Sequence, residues 1–464
     1  MAIGSTGPGE TSLARALARA SLGVDPGRFD AEVLAKAKIC LLDFLSCAFE
    51  ARNHPWSRQA IGVARGFDGG ATIIGTDKRA TPGDAAFANA TLGHGLVRED
   101  MHAASICHHG VVIWPTLLAL SERTRLSGAT LLAAAIVGYE AGGRIGRALF
   151  NADLARLYRP TGLVAPLGAA LAGSLALGLS EDAAISALAI AANTSSGLNE
   201  WPHAGGSEMY FHPGFAARNA IAAIELAEAG AYASETILEG EAGLFAAYRR
   251  QPAPAVIALF AGEPEIMAVY NKPVPACNFA QTAAQAALRA AQELATSEDI
   301  ETISILVPEA AARYPGCDSR GPYRNALQAK MSIPFSVAAV LAHGEIEEDN
   351  YAEIDHPEIL RLVDRTDLRR DPAFSAAFPE KQGAEVVVAL RNGKTIRHRL
   401  ENVIAATPAE IRARFRQAAA GVVGDKRALQ LEEFVDGCEQ LVDASVIAAQ
   451  CRLEPSEQRL RSAS

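Results

Sequence analysis

No stretch of this sequence gathers Lys and Arg into a basic stripe. Lys and Arg number 43 against 53 Asp and Glu, a formal charge of −10. Nucleic acid and anionic membrane are therefore not expected partners, because both need a continuous basic face. Paired-cysteine spacings are also missing. The seven cysteines (Cys40, Cys47, Cys107, Cys277, Cys317, Cys438, Cys451) are scattered and odd in number, which argues against a disulfide scaffold and for a reducing compartment, the cytoplasm. Long unbroken apolar runs are absent as well. The longest, residues 163–179, contains Pro166 and three glycines, which suits helices packed inside a protein better than a membrane span. The first residues lack a basic start followed by an apolar segment, so no signal peptide is expected.

What remains is the composition of a globular enzyme, 49% hydrophobic and 21% charged over 464 residues, long enough for two domains with separate cores. Apolar residues recur at three- and four-residue spacing over 29–49, 84–92, 117–123, 129–150 and 216–230, which predicts an almost wholly helical first 260 residues. Small residues such as Gly168, Ala169, Ala170, Ala172 and Gly173 let such helices approach closely. After about Val269 the pattern changes. Residues 301–307 alternate like a strand, and 385–390 and 395–400 flank Asn392-Gly393, a strong hairpin signal. Helical patterns at 280–295, 326–343 and 356–363 accompany them. Thr407-Pro408 then starts another helix, and 427–451 is amphipathic. The expected fold is mostly α: an all-helical domain (1–268 and 406–464) holding both chain ends, with a smaller inserted α+β lid domain (269–405).

The chemistry-bearing stretch is 94–109, which holds four of the ten histidines, His94, His102, His108 and His109, beside Glu99 and Asp100. Imidazoles titrate near neutrality, so this cluster suits proton transfer. A zinc site built from His102, His108 or His109 and Asp100 is the rival reading. It is disfavoured because no His-Glu-x-x-His helix or paired cysteines accompany it, so no metal is expected.

Several segments in order resemble the MmgE/PrpD family: Leu41-Leu42-Asp43-Phe44-Leu45-Ser46-Cys47-Ala48; Ala88-Asn89-Ala90 leading to His94 and Asp100; Arg159-Pro160-Thr161-Gly162; residues 212–219, from His212-Pro213-Gly214 to Arg218-Asn219; Lys272-Pro273-Val274-Pro275-Ala276-Cys277; and residues 329–335, from Ala329-Lys330 to Pro334-Phe335. The resemblance implies a helical domain with an α+β lid, an active site between them, a homodimer, no required cofactor and small polycarboxylate substrates. Family activities include 2-methylcitrate dehydratase, cis-aconitate decarboxylase and iminodisuccinate epimerase. The chain departs from the dehydratase and decarboxylase pattern at Val97, Met101, Cys107, Arg159, Met209 and Phe335, where those members carry an aspartate, a threonine, histidines, a lysine and a tyrosine. Lys272 is kept.

Losing an acid and hydroxyls while keeping bases suits inversion of a carbon more than elimination. The resemblance therefore implies two-base epimerisation of a small aminodicarboxylate such as iminodisuccinate. Lys272 is the expected base for one face and His108 or His109 for the other, with His102 and Asp100 as further catalytic candidates. Arg159 is expected to grip a carboxylate bidentately. Thr161, His94, His212 at a helix start and His203 complete the expected substrate-binding set. Two alternatives stay open: a dehydratase or decarboxylase of a citrate- or aconitate-like acid, and an idle relative that only binds polycarboxylates. His54, His343, His356 and His398 are expected to be structural or exposed.

Overall fold

The computed structural model describes residues 11–454. The expectation about the N-terminal leader falls on residues 1–10, outside the described residues, as do the last ten positions of the expected helical domain.

Helices dominate, and local chemistry starts them. In α1 (Ala31–Ala51) the Asp30 carboxylate accepts from the Glu32 and Val33 backbone N–H groups, and in α2 (Pro82–His94) Thr81 caps a first turn that opens on Pro82. These are the residue types that satisfy orphan donors at helix starts. Then follow α3 (Gly110–Thr124), α4 (Gly128–Leu149), α5 (Pro160–Ala176), α6 (Glu181–Asn193) and α7 (His212–Glu228). The buried α5 touches α3, α4, α6 and α7. Its Gly168 explains how: a Cβ there would fall 2.4 Å from the Gly138 carbonyl oxygen and 3.2 Å from Gly142 Cα on α4, so the two backbones meet only because glycines face each other. Among the described residues no helix is long and apolar enough to cross a membrane.

The helical expectation for the first 260 residues needs two corrections. An antiparallel ribbon joins β1 (Gly66–Thr72) to β2 (Arg79–Ala80), where consecutive glycines disfavour helix. Residues 231–268 are mainly turns and loop. A short pair, β3 (Met101–His102) and β4 (Val269–Tyr270), is antiparallel. It ties the histidine-rich stretch to the segment that carries Lys272.

Beyond Tyr270, α8 (Gln281–Ala291), α9 (Ala326–Met331) and α10 (Ile333–His343) accompany a sheet of β5 (Ile300–Val307), β6 (Thr366–Arg370), β7 (Ala384–Leu390) and β8 (Thr395–Leu400). Strand order is β6-β5-β7-β8, with β5 and β6 parallel and the other pairs antiparallel. The β7–β8 turn has Gly393 at φ +81°, as the Asn-Gly signal requires. Strand β6 escaped the sequence reading because its Asp and Arg residues hide any apolar alternation. The expected single helix over 326–343 is two, because Ser332 caps a new start and Pro334 cannot continue the old ladder. Finally α11 (Pro408–Val423), opened by a Thr407–Glu410 capping box, and α12 (Asp425–Asp436) pack back on α1.

Candidate active site

The stretch 94–109 is turned twice. Val97 and Ile106 hold φ of +58° and +52°, a left-handed conformation that β-branched side chains adopt only when their surroundings force it. Both residues line a tight interior cavity of about 10 Å³ together with Met101, His108, Arg159, Cys277, Asn278, Phe279, Tyr314 and Met331. The turns send neighbouring polar side chains to opposite sides.

Behind His108 the hub is Glu99, which sequence reasoning named only as a neighbour. One of its oxygens accepts from His94 Nδ1 and lies 3.1 Å from His108 Nδ1, while its Oε2 has no partner among the described residues. Burial alone would raise the Glu99 carboxyl, but the adjacent His94, His108 and Lys272 hold it well below the usual range. His94 is buried at the end of α2 and receives an Arg159 Nη2 hydrogen bond on Nε2 at 3.1 Å. Met209 Sδ lies 2.7 Å from the same nitrogen.

His108 Nδ1 lies 2.8 Å from the Asp100 carbonyl oxygen. A carbonyl only accepts, so Nδ1 carries the proton and the neutral ring keeps its lone pair on Nε2. Burial, reinforced by the charges of Lys272 and Arg159 and opposed by Glu99, holds His108 well below its ordinary pKa. Thr161 Oγ1 accepts from the His108 backbone N–H at 3.2 Å, so this threonine positions the histidine from α5. Arg159 caps α5, is 5% exposed, and its Nε has no partner among the described residues. A buried guanidinium donor without a partner beside a cavity is suited to an anion.

Three expected site residues face elsewhere. Asp100 accepts from Tyr139 Oη and lies 3.4 Å from the Gly110 N–H, capping α3, and burial pushes its carboxyl up to about 7. His102 donates Nε2–H to Glu265 at 2.6 Å while Nδ1 meets Ser105 Oγ at 2.7 Å. His109 sits between Ser105 Oγ and Cys107 Sγ, at 3.1 and 3.4 Å, against α4. A Cβ on Gly142 would come 2.7 Å from its Nδ1. These groups hold helices together, and their polar atoms are already engaged away from the cavity.

Lys272 needs a different correction. It is fully buried but stands behind Val97, whose carbonyl its Nζ bonds, and it does not line the cavity. Burial lowers the amine to about 8 against the pull of Glu99. Its own carbonyl accepts from Arg414 at 3.0 Å, which ties it to α11. His212, its Nδ1 unpartnered among the described residues, is kept at about 3 by burial and by Arg159. It lies one glycine away from Arg159, across Gly197. His203 is exposed and lines an outer cleft of about 590 Å³ with Tyr158, Asn199, Glu200 and residues 312–316. Tyr314 lines both cleft and cavity, so it stands where the two meet. No sequence signal marked Tyr314 or Phe279, since an apolar wall looks like ordinary core until a cavity borders it.

Comparison with known proteins agrees with this architecture. Residues 15–256 match the MmgE/PrpD N-terminal domain model and residues 274–440 the C-terminal one. The chain is 26% identical to a cis-aconitate decarboxylase-like protein of Aspergillus oryzae, covering 91% of this chain and 94% of the relative. It is also 26% identical to the human cis-aconitate decarboxylase, over 94% of each chain. With the 2-methylcitrate dehydratase of Escherichia coli it shares 24% identity over 90% of each.

Proposed function

Because the chain belongs to the MmgE/PrpD family, we propose that it is a cofactor-independent lyase for a small citrate- or aconitate-like polycarboxylate. The observation that carries this is the cavity itself: a neutral His108 whose Nδ1 is engaged, facing the same space as an Arg159 whose Nε has no partner among the described residues.

In this proposal one substrate carboxylate binds Arg159, which His94 and Glu99 hold in place. In dehydration His108 Nε2 removes the proton from the carbon beside a carboxylate, in decarboxylation the electrons of the broken C–C bond stay on carbon as CO2 leaves, and in both the charge that develops is met by the fixed guanidinium. Lys272, with a pKa of about 8, is the ammonium that returns a proton, to a departing hydroxyl in dehydration or to carbon after loss of CO2. Its Nζ must first leave the Val97 carbonyl, so substrate binding and a shift of that strained turn go together. The residues from 269 to 405 act as the lid that closes on the substrate. An acid is thus available without Asp100, which removes the main argument from the sequence against a lyase. The relatives' own activities, dehydration and decarboxylation, weigh the same way.

Epimerisation of an aminodicarboxylate is the second reading. It is favoured by one observation, that Val97 and Met101 present apolar groups to the cavity where a leaving hydroxyl would need polar partners. Incubation in D2O with citrate, cis-aconitate and a chiral aminodicarboxylate separates the two. Released CO2 or a new double bond supports the lyase. Deuterium entering the aminodicarboxylate with loss of optical activity, and no product from the other acids, replaces it with the epimerase.

A further inference from the structure

Cys277 and Cys317 make the one cysteine–cysteine contact among the described residues, their sulfurs 3.6 Å apart and both side chains buried. The two sulfurs are placed very differently. Cys277 lines the interior cavity. Cys317 lies behind it, at the end of the turn 314–317, where its N–H donates to the Tyr314 carbonyl at 3.1 Å and its own carbonyl accepts from Ile333. That turn includes Gly316 at φ +81° and Tyr314, the residue between cleft and cavity. A small molecule that passes the cleft therefore meets Cys277 first and finds Cys317 directly behind.

From this geometry we infer that Cys277 and Cys317 are an oxidation site, a dithiol that closes to a disulfide on reaction with a small peroxide and opens again with a dithiol reductant. The Cys277 thiolate attacks one oxygen of hydrogen peroxide: an S–O bond forms, the O–O bond breaks, and the departing hydroxide takes up the proton that the Cys277 thiol released and leaves as water. Cys317 then attacks the Cys277 sulfenic acid, the S–S bond forms, the S–O bond breaks, and the second oxygen leaves as water with the Cys317 proton. Two electrons pass from the sulfurs to the peroxide. The order of attack agrees with the surroundings. Burial alone would raise the Cys277 thiol, but the Cys317 thiol, the Phe279 N–H and the charges of Lys272 and Arg159 bring it below the ordinary range, while burial pushes Cys317 up. Closure would lock the turn carrying Tyr314 against the cavity wall. On the lyase reading, on which this last step alone rests, oxidation stops turnover until the reductant restores it.

The test uses the full chain under native conditions. It is treated with hydrogen peroxide, capped with an alkylating agent and mapped by mass spectrometry. The expected product is a crosslinked peptide pair joining Cys277 to Cys317, lighter by two hydrogens and lost on adding dithiothreitol. In Cys317→Ser, Cys277 is expected to stop at the sulfenic acid and to be captured by dimedone. Intact free thiols at both positions after treatment, in protein whose Cys277 is alkylated only on unfolding, would overturn the inference. A crosslink that forms equally fast with and without saturating citrate keeps the oxidation site and tells instead against the cavity as a polycarboxylate site.

Discussion

Two sets of residues from one short stretch, equally buried and built from the same chemical types, do different work. His108 and Arg159 line the cavity with Glu99 and His94 bonded behind them, and an oxygen of Glu99 and the Nε of Arg159 have no partner among the described residues. Asp100, His102 and His109 are turned toward α3, α4 and Glu265, with polar atoms engaged by Tyr139, Ser105, Cys107 and Glu265. Residue type and burial therefore do not mark a proton-transfer group. What marks it is a polar atom left over beside a space a ligand can enter, since a fully engaged atom must break a bond before it reacts.

Mutation should separate the sets. His108→Ala is expected to give the largest loss, about 10²–10⁴-fold in kcat for the polycarboxylate reaction, with unchanged circular dichroism. A His102→Ala protein as impaired per folded molecule would erase the distinction. Arg159→Met is expected to raise KM by roughly 10–100-fold, the scale of one charge-assisted hydrogen bond, and to lower kcat as well, because the same guanidinium meets the charge that develops; steady-state kinetics reads both. Titration sharpens the contrast. If Lys272 serves as an ammonium, kcat/KM falls as pH rises through about 8, and Lys272→Met loses most activity together with that limb.

The inward set should titrate stability instead. Asp100 is raised from 3.8 to about 7, so between those values the folded chain holds a proton that the unfolded chain has released. Stability contributed by the protonated carboxyl is complete below 3.8 and is lost as pH rises through 7. Denaturant melts across this window should fall with pH in the parent and flatten in Asp100→Asn. The smallest effect is expected for His102→Ala, about 1–3 kcal/mol of stability with kcat per folded molecule retained, because Glu265 keeps its Arg144 and Arg147 partners.

Much of this was legible without coordinates. The helix start at Thr407, the Asn392-Gly393 hairpin and the small-residue packing of α5 follow from local rules that act within a few residues. The histidine-rich stretch, Arg159 and Thr161 were also visible as chemistry, and the ordered segments pointed to the family. The departures occur where distant pieces meet. Strand β6 has no alternation of its own and is held by its parallel neighbour β5. Lys272 looked like a cavity base, but the β3–β4 pairing places it behind the Val97 carbonyl.

The amino-acid order alone thus determined the mostly helical character, the family and the short list of groups able to move a proton, because propensity, capping and side-chain chemistry are properties of neighbours in the chain. Only the folded arrangement decided which of those groups keep an open valence. Two left-handed turns at Val97 and Ile106 sort adjacent side chains to opposite sides, and such backbone states are forced by packing against α4, α5 and the residues beyond 269, not by the local sequence.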